Sequence, residues 1–267
     1  MKVEYTEAER KPKKKKRKKS SKIKAIIVAI LTLILVLSVA VVLTMTVFFN
    51  VSSIKVVGSS IYTSEEIIYA SGIINGDNLF RLPKTDIEAR IEKALPYIKK
   101  AEIIKSYPES IGISVEPAEE KYLLSIESKS FVADADYKLL KMVDTENNDY
   151  IKIVGIFAND VEVGKSIEFS DNQQKDIIND LFSICNEKGL NLSYIDVTSL
   201  VDISFVINKK QFIQIGSYTD LGGKMNHLME VMKTVQTDEM AVISLKDWSL
   251  DNKEAVLKYT NIGEYIK

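Results

Sequence analysis

Twenty-five consecutive residues, Ala25 to Phe49, carry no charge, and they follow directly on a block, Arg10 to Lys24, with eleven basic side chains and no acidic one. A helix rises about 1.5 Å per residue, so the run reaches about 37 Å and can cross a hydrocarbon core of about 30 Å with some tilt. Positive flanks stay on the cytoplasmic side of a bilayer. The expected topology is therefore a single pass with a cytoplasmic N-terminus and residues 50–267 exported. A cleaved signal peptide is the competing reading. Its apolar core is shorter, about 7–15 residues, and ends at a small-residue site. Ser38-Val39-Ala40 has that look, but the apolar run continues nine residues beyond it to Phe49. A retained anchor is the expectation.

Charge divides the chain at the same place. Residues 1–24 hold twelve basic and three acidic side chains, a net of +9, and the remainder holds 24 basic and 34 acidic, a net of −10. A basic tail beside an acidic body suits anionic lipid at the cytoplasmic surface, with Lys13, Lys14, Lys15, Lys16, Arg17, Lys18 and Lys19 as the contact residues. A nucleic-acid role for the same residues is the less economical reading beside a membrane span. The one cysteine, Cys185, rules out an intrachain disulfide.

Beyond the span the pattern opens as β-α-α-β-β. Ile54 to Val57 is a short strand. Thr63-Ser64-Glu65-Glu66 and Thr85-Asp86-Ile87-Glu88 both have the form of a capping box, in which a hydroxyl and a carboxylate satisfy reciprocal backbone N–H groups. Gly72 ends the first helix and Pro96 the second. Ala101 to Tyr107 and Ile111 to Val115 alternate as two half-buried strands joined by a Pro108 turn. Strands with segregated helices predict a two-layer α+β unit.

After Glu119 short strands dominate. They are expected at Leu123 to Ile126, Phe131 to Ala133, Tyr137 to Val143, Ile151 to Ile156, Tyr194 to Val197, Asp202 to Ile207, Gln211 to Ile215, Met240 to Leu245 and Glu254 to Tyr259. Amphipathic helices are expected over 170–188 and 223–235, the first with Ile177, Ile178, Leu181 and Cys185 on its apolar face. The expectation is a many-stranded, mostly antiparallel sheet with two packed helices.

These segments resemble, in order, the FtsQ family of bacterial cell-division proteins, called DivIB in Gram-positive bacteria. Ile54-Lys55-Val56-Val57-Gly58, Tyr62 to Ile67, Gly76-Asp77-Asn78-Leu79-Phe80, Leu95 to Ile103 and Tyr107 to Glu116 resemble its POTRA domain. Phe131 to Asp136, Val163-Gly164-Lys165, Ile215-Gly216 with Lys224, and Val242 to Asp247 resemble its β domain. Ser59, Pro117, Ser244 and Lys246 depart from the family pattern. The resemblance implies a basic tail over 1–24, a transmembrane helix over 25–49, a POTRA-like domain over 50–118, an FtsQ-type β domain over 119–260 and a C-terminal tail over 261–267. It implies a non-enzymatic scaffold at the division septum, without cofactor. Its partners would be FtsL-like and FtsB/DivIC-like bitopic proteins and, through them, the septal peptidoglycan synthase complex. It also implies a docking strand: Glu254, Ala255, Val256, Leu257, Lys258 and Tyr259, pairing by strand addition.

A catalytic set was sought among the residues and none stands out. His227 is the only histidine, and a metal site needs several converging ligands. Cys185 reads as a buried thiol. Gly222-Gly223-Lys224 lacks the earlier glycine and the following hydroxyl of a phosphate loop. Asp134 and Asp136 read as a hairpin turn rather than calcium ligands, and Trp248 as an interface anchor or a cap on the sheet edge. An exported, membrane-anchored sensor or cell-wall-acting enzyme is the alternative class.

Overall fold

The computed structural model describes residues 19–144, 150–236 and 239–266. Helix α1 spans Lys19–Val47. It has no polar face, and none of its length from Lys22 to Thr44 is buried against the rest of the chain. The hydroxyls of Thr32, Ser38 and Thr44 fold back onto the carbonyls of Val28, Leu35 and Ala40, each at 2.7 Å. Those three polar groups of the span are thus satisfied within the helix, as an apolar surrounding requires.

The first sheet is built from β1 (Ser53–Gly58), β2 (Ile98–Ser106) and β3 (Ser110–Pro117), with α2 (Ser64–Ser71) and α3 (Lys84–Ala94) between β1 and β2 in the chain. Its order is β1-β3-β2, with β1 parallel and β2 antiparallel to β3. The alternation seen in sequence sets the burial: Ala101, Ile103, Ile111, Ile113 and Val115 face Ile67, Ile87 and Ile91 of the helices. The capping box at Thr63 and Glu66 forms in full. The one expected at Thr85 does not. Helix α3 starts two residues earlier, at Lys84 after Pro83, with no side-chain cap. Glu88 is engaged elsewhere, accepting the Ile103 N–H at 2.8 Å.

The second sheet has nine strands: β4 (Tyr122–Ile126), β5 (Lys129–Ala133), β6 (Leu139–Val143), β7 (Ile151–Val154), β10 (Leu192–Asp196), β11 (Ile203–Ile207), β12 (Gln211–Gly216), β13 (Ala241–Ser244) and β14 (Val256–Tyr259). A separate two-stranded hairpin, β8 (Ala158–Asn159) with β9 (Glu168–Phe169), precedes α4 (Asn172–Glu187), and α5 (Leu221–Met232) joins β12 to β13. The order is β14-β13-β12-β11-β10-β7-β4-β5-β6. Five of the pairings are antiparallel, and β4–β7, β7–β10 and β12–β13 are parallel. Two of the parallel pairs follow from helices, β7 to β10 passing through α4 and β12 to β13 through α5, and the third, β4–β7, follows the β4-β5-β6 meander, after which the chain returns to the far side of β4. Both helices pack into one large core. Central strand β11, Ile-Ser-Phe-Val-Ile, is buried along its whole length, because the sheet's other face is covered too. There Val154, Tyr194, Val206, Phe212 and Val242 pack under Ile262, Tyr265 and Ile266. The C-terminal residues expected as a tail thus lie across the sheet. The resulting architecture is α+β, with an apolar N-terminal helix ahead of two sheets.

Candidate functional site

The expected docking residues lie at one end of the large sheet. Strand β14 pairs only with β13 among the described residues, in the register Ala241↔Tyr259, Val242↔Lys258, Ile243↔Leu257 and Ser244↔Val256. Glu254 and Ala255 precede the strand rather than forming part of it. The Thr260 N–H reaches the Met240 carbonyl at 3.1 Å. Antiparallel ladders alternate, so Val256 and Lys258 turn their backbone groups toward β13, while Leu257 and Tyr259 turn theirs outward. The side chains divide by the same period. Ala255 and Leu257 pack against the core, and the Tyr259 hydroxyl accepts the Gln236 N–H at 3.2 Å. Val256 is 55% exposed on the opposite face, beside exposed Lys258. A pairing segment would meet free N–H and C=O groups flanked by Val256 on one side and Tyr259 on the other.

Two other edges are blunted. At the start of β6, residues 164–167 close over the strand: the Leu139 N–H donates to Lys165, Gly164 donates to Leu139, and Ile167 donates to Tyr137, at 2.8–3.1 Å. On β2, Glu92 and Glu88 of α3 accept the outward N–H groups of Ala101 and Ile103, each at 2.8 Å. A four-residue step on the helix matches a two-residue step on the strand. Covering or charging an edge in this way prevents unwanted pairing. Among the described residues the edges without such cover are β14, the later part of β6 and, in the small sheet, β1.

The two sheets meet at a polar joint that sequence reasoning missed. Lys138 is buried, and its ammonium donates to the Glu92 carbonyl at 2.8 Å, in the last turn of α3, and to the Ile98 carbonyl. A cation at a helix C-terminus is favourable. Burial nonetheless lowers the Lys138 pKa, against the opposing pull of Glu92 and Asp134. The Asp134 carboxylate holds the turn that aims it, accepting the N–H groups of Asp136 and Lys138 at 2.8 and 2.9 Å. Gly164 sits with φ +93°, where an added Cβ would stand 2.2 Å from the Lys93 carbonyl oxygen. Glu120 receives the hydroxyls of Tyr97 and Tyr150 and the Lys141 ammonium, the last at 2.6 Å. Burial opposes ionisation of Glu120, but those three donors outweigh it and hold the carboxyl at about 2. Ion pairs Lys99–Asp136 and Lys93–Glu162 lie at the rim. The signals were in the chain: Asp134, Gly164 and Ala101 all fall in the segments that carry the family resemblance.

The residues weighed for chemistry occupy structural positions. Cys185 is buried, and that burial pushes its thiol up to about 11. His227 lies 3.6 Å from Glu230 on α5. Trp248 is in the main core, not at an interface, and its ring packs where a Cβ on Gly223 would stand at 2.5 Å. Lys224 is buried and donates to the carbonyls of Ile215 and Ser217, at 2.9 and 2.7 Å, on either side of Gly216. The Gly-Gly-Lys run is thus a packing device. A shallow cleft of about 690 Å³ between α4 and the loop after β12 holds Asp176, Asp180 and Tyr218. Tyr218 donates to Asp180, which, with burial, pushes the phenol up to about 12. Among the described residues no three His, Cys, Asp or Glu side chains are grouped to hold a metal. Lys13, Lys14, Lys15, Lys16, Arg17 and Lys18 lie outside the described residues, and Lys19 opens α1.

Comparison with known proteins agrees with this architecture. Residues 49–116, from the end of α1 through β3, match the family described as POTRA domain, FtsQ-type. Similar chains include the cell division protein DivIB of Clostridium tetani, 28% identical over 188 residues that cover 69% of this chain and 70% of that relative. DivIB of Clostridium acetobutylicum is 25% identical over 187 residues, 69% of this chain and 74% of its own length. Residues 49–116 thus carry an FtsQ-type POTRA domain, and the chain resembles DivIB. The cell division protein FtsQ of Streptomyces venezuelae is 28% identical over a shorter stretch of 109 residues, 41% of this chain and 40% of that one. The similarity to these cell division proteins supports a role in division.

Proposed function

We propose that this chain is a membrane-anchored, non-enzymatic scaffold of the division machinery that captures its partners by strand addition on β14. The observation that carries the reading is the open edge itself: an ordered strand, continuous with a nine-stranded sheet, whose outward backbone groups at Leu257 and Tyr259 have no strand beside them among the described residues. The partners proposed are FtsL-like and FtsB/DivIC-like bitopic proteins at the septum, through which peptidoglycan synthesis would be supported. The apolar helix, Lys22–Thr44, is long enough to cross a bilayer, which supports a single-pass anchor. The basic residues before it support an N-terminus held at the cytoplasmic, anionic surface. Residues 50–118 and 119–260 are then two exported domains locked by the Lys138 and Glu120 joint.

The test exploits the ladder's alternation. Proline has no N–H and is tolerated in a sheet only where that group faces away from the ladder. Leu257→Pro removes an outward donor and spares the bonds to β13. It is expected to weaken capture of the partner complex from detergent-solubilised membranes at least about tenfold, or ~1.4 kcal/mol, while the full chain stays folded by circular dichroism. Undiminished capture by the folded variant rejects β14 as the docking edge.

A further inference from the structure

The span and the first domain are joined without a free linker. The Phe48 N–H still donates to the Thr44 carbonyl at 3.0 Å, the last helical bond of α1. One residue later the Phe49 carbonyl accepts the Leu79 N–H at 2.8 Å, and Asn50 bridges Asn78. The Val51 N–H then donates to the Asp77 carbonyl and the Val51 carbonyl accepts the Gly76 N–H, both at 2.8 Å. Two residues of extended chain reach about 7 Å at most. The 76–80 loop is therefore held within that reach of the point where the apolar helix ends.

At this place three aromatic rings touch one another outside the domain core. Phe49 and Phe80 meet edge to face with centroids 4.8 Å apart, Phe80 stacks on Tyr107 at 5.1 Å, and Phe49 lies 5.9 Å from Tyr107. None of the three belongs to the small sheet's buried cluster. Phe80 is 46% exposed, Tyr107 52% and neighbouring Phe48 66%. The rings come from three separate segments: the end of the span, the loop before α3, and the β2–β3 turn. The segments that carry the rings also hold Arg81, Lys84 and Lys105 against Asp77 and Glu109, a net of +1.

We infer that Phe48, Phe49, Phe80 and Tyr107 form a membrane foot, seated at the headgroup–acyl boundary of the leaflet in which the chain's own span ends. The occupant is that bilayer, because the covalent path delivers the patch to it and because aromatic side chains favour the interface. Insertion there is apolar. With a net of only +1 in these segments the seat depends little on anionic lipid, unlike that of a basic amphipathic helix. The foot holds the first domain upright on its anchor where a tether alone would let it swing. The inference rests on the anchor reading above and goes beyond it.

The experiment uses the full chain in vesicles of phosphatidylcholine, with and without phosphatidylglycerol, containing lipid brominated near the top of the acyl chains. Native Trp248, buried in the large core, is the internal reference. Phe80→Trp and, separately, Tyr107→Trp each add one reporter. Both added emissions are expected to be quenched about twofold by the brominated lipid and little by aqueous iodide, equally with and without phosphatidylglycerol, while Trp248 is unaffected. Reporters open to iodide and untouched by bromine, in a folded chain that floats with the vesicles, overturn the foot and leave the anchor standing. A chain that does not float with the vesicles overturns both.

Discussion

Lys224 shows how much one buried side chain can decide. Its ammonium closes two carbonyls where β12 leaves the sheet and turns into α5. Lys224→Met keeps the length of the side chain and removes the donors, leaving both carbonyls short of a partner. That is expected to cost roughly 1–3 kcal/mol, read as a lower denaturant midpoint at unchanged slope. Glu120 carries the pH dependence. Its carboxyl is held at about 2 in the folded chain, against an ordinary value of 4.5. A carboxylate with a depressed pKa stabilises the fold fully above its unfolded value and ceases to do so as pH falls through its folded one. Glu120→Gln should therefore be less stable than the native chain at pH 7, by roughly 1–2 kcal/mol once solvent screening is allowed for. The two should converge as pH drops from about 4.5 toward 2, measured by denaturant midpoints across that range. Tyr97, pushed up to about 12 by burial and by Glu120, stays neutral throughout. The resemblance paired Lys224 with Ile215-Gly216, but not the two carbonyls its ammonium closes, and Glu120, in a linker, carried no sequence signal until the fold supplied its partners.

At the scale of elements, the small sheet was the more legible. Its strands alternate, its first helix carries a full capping box at Thr63, and the burial of Ile111, Ile113 and Val115 follows from period two alone. The failed cap at Thr85 has a physical cause that local pattern cannot show. Glu88 serves the neighbouring strand instead of its own helix, as does Glu92 one turn on. Replacing both by alanine should unmask the amides of Ala101 and Ile103. Faster hydrogen exchange is expected at those two positions and not at Ile111 or Ile113, together with a loss of about 1 kcal/mol for each bond. The large sheet was read as strands and two helices, but its three parallel pairings were not. Direction is set by how the chain crosses between strands, through α4 and α5 for two pairs and past the β4-β5-β6 meander for β4–β7, and sequence periodicity is silent on that. The short β8–β9 hairpin and the folded C-terminal segment were missed because each is only a few residues long and is held by tertiary contact.

At the scale of the molecule, three features stand in series: the aromatic foot below the first sheet, the polar joint between the sheets, and the open edge of β14. The joint ties the two sheets together through Lys138 and Glu120, and Gly164 packs tightly within it. Gly164→Val would force a Cβ into the Lys93 carbonyl at a φ that L-residues resist. The two sheets are then expected to uncouple, seen by calorimetry as two unfolding transitions in place of one and by faster proteolysis at residues 118–121. Deleting residues 50–118 would instead strand the Lys138 ammonium without its two carbonyls, so such a chain tests the joint as much as any docking role of the first domain. With the sheets so joined, the proposed docking edge of β14 would keep a fixed position relative to the proposed anchor, which suits a partner that is itself membrane-anchored. The direct measurement is amide hydrogen exchange of the full chain with and without the FtsL-like and DivIC-like complex. Protection rising at least about tenfold at the outward amides of Leu257 and Tyr259, with Val256 and Lys258 protected in both states, is the predicted result. Unchanged exchange at Leu257 and Tyr259, with the partner's protection appearing elsewhere, would contradict docking at this edge.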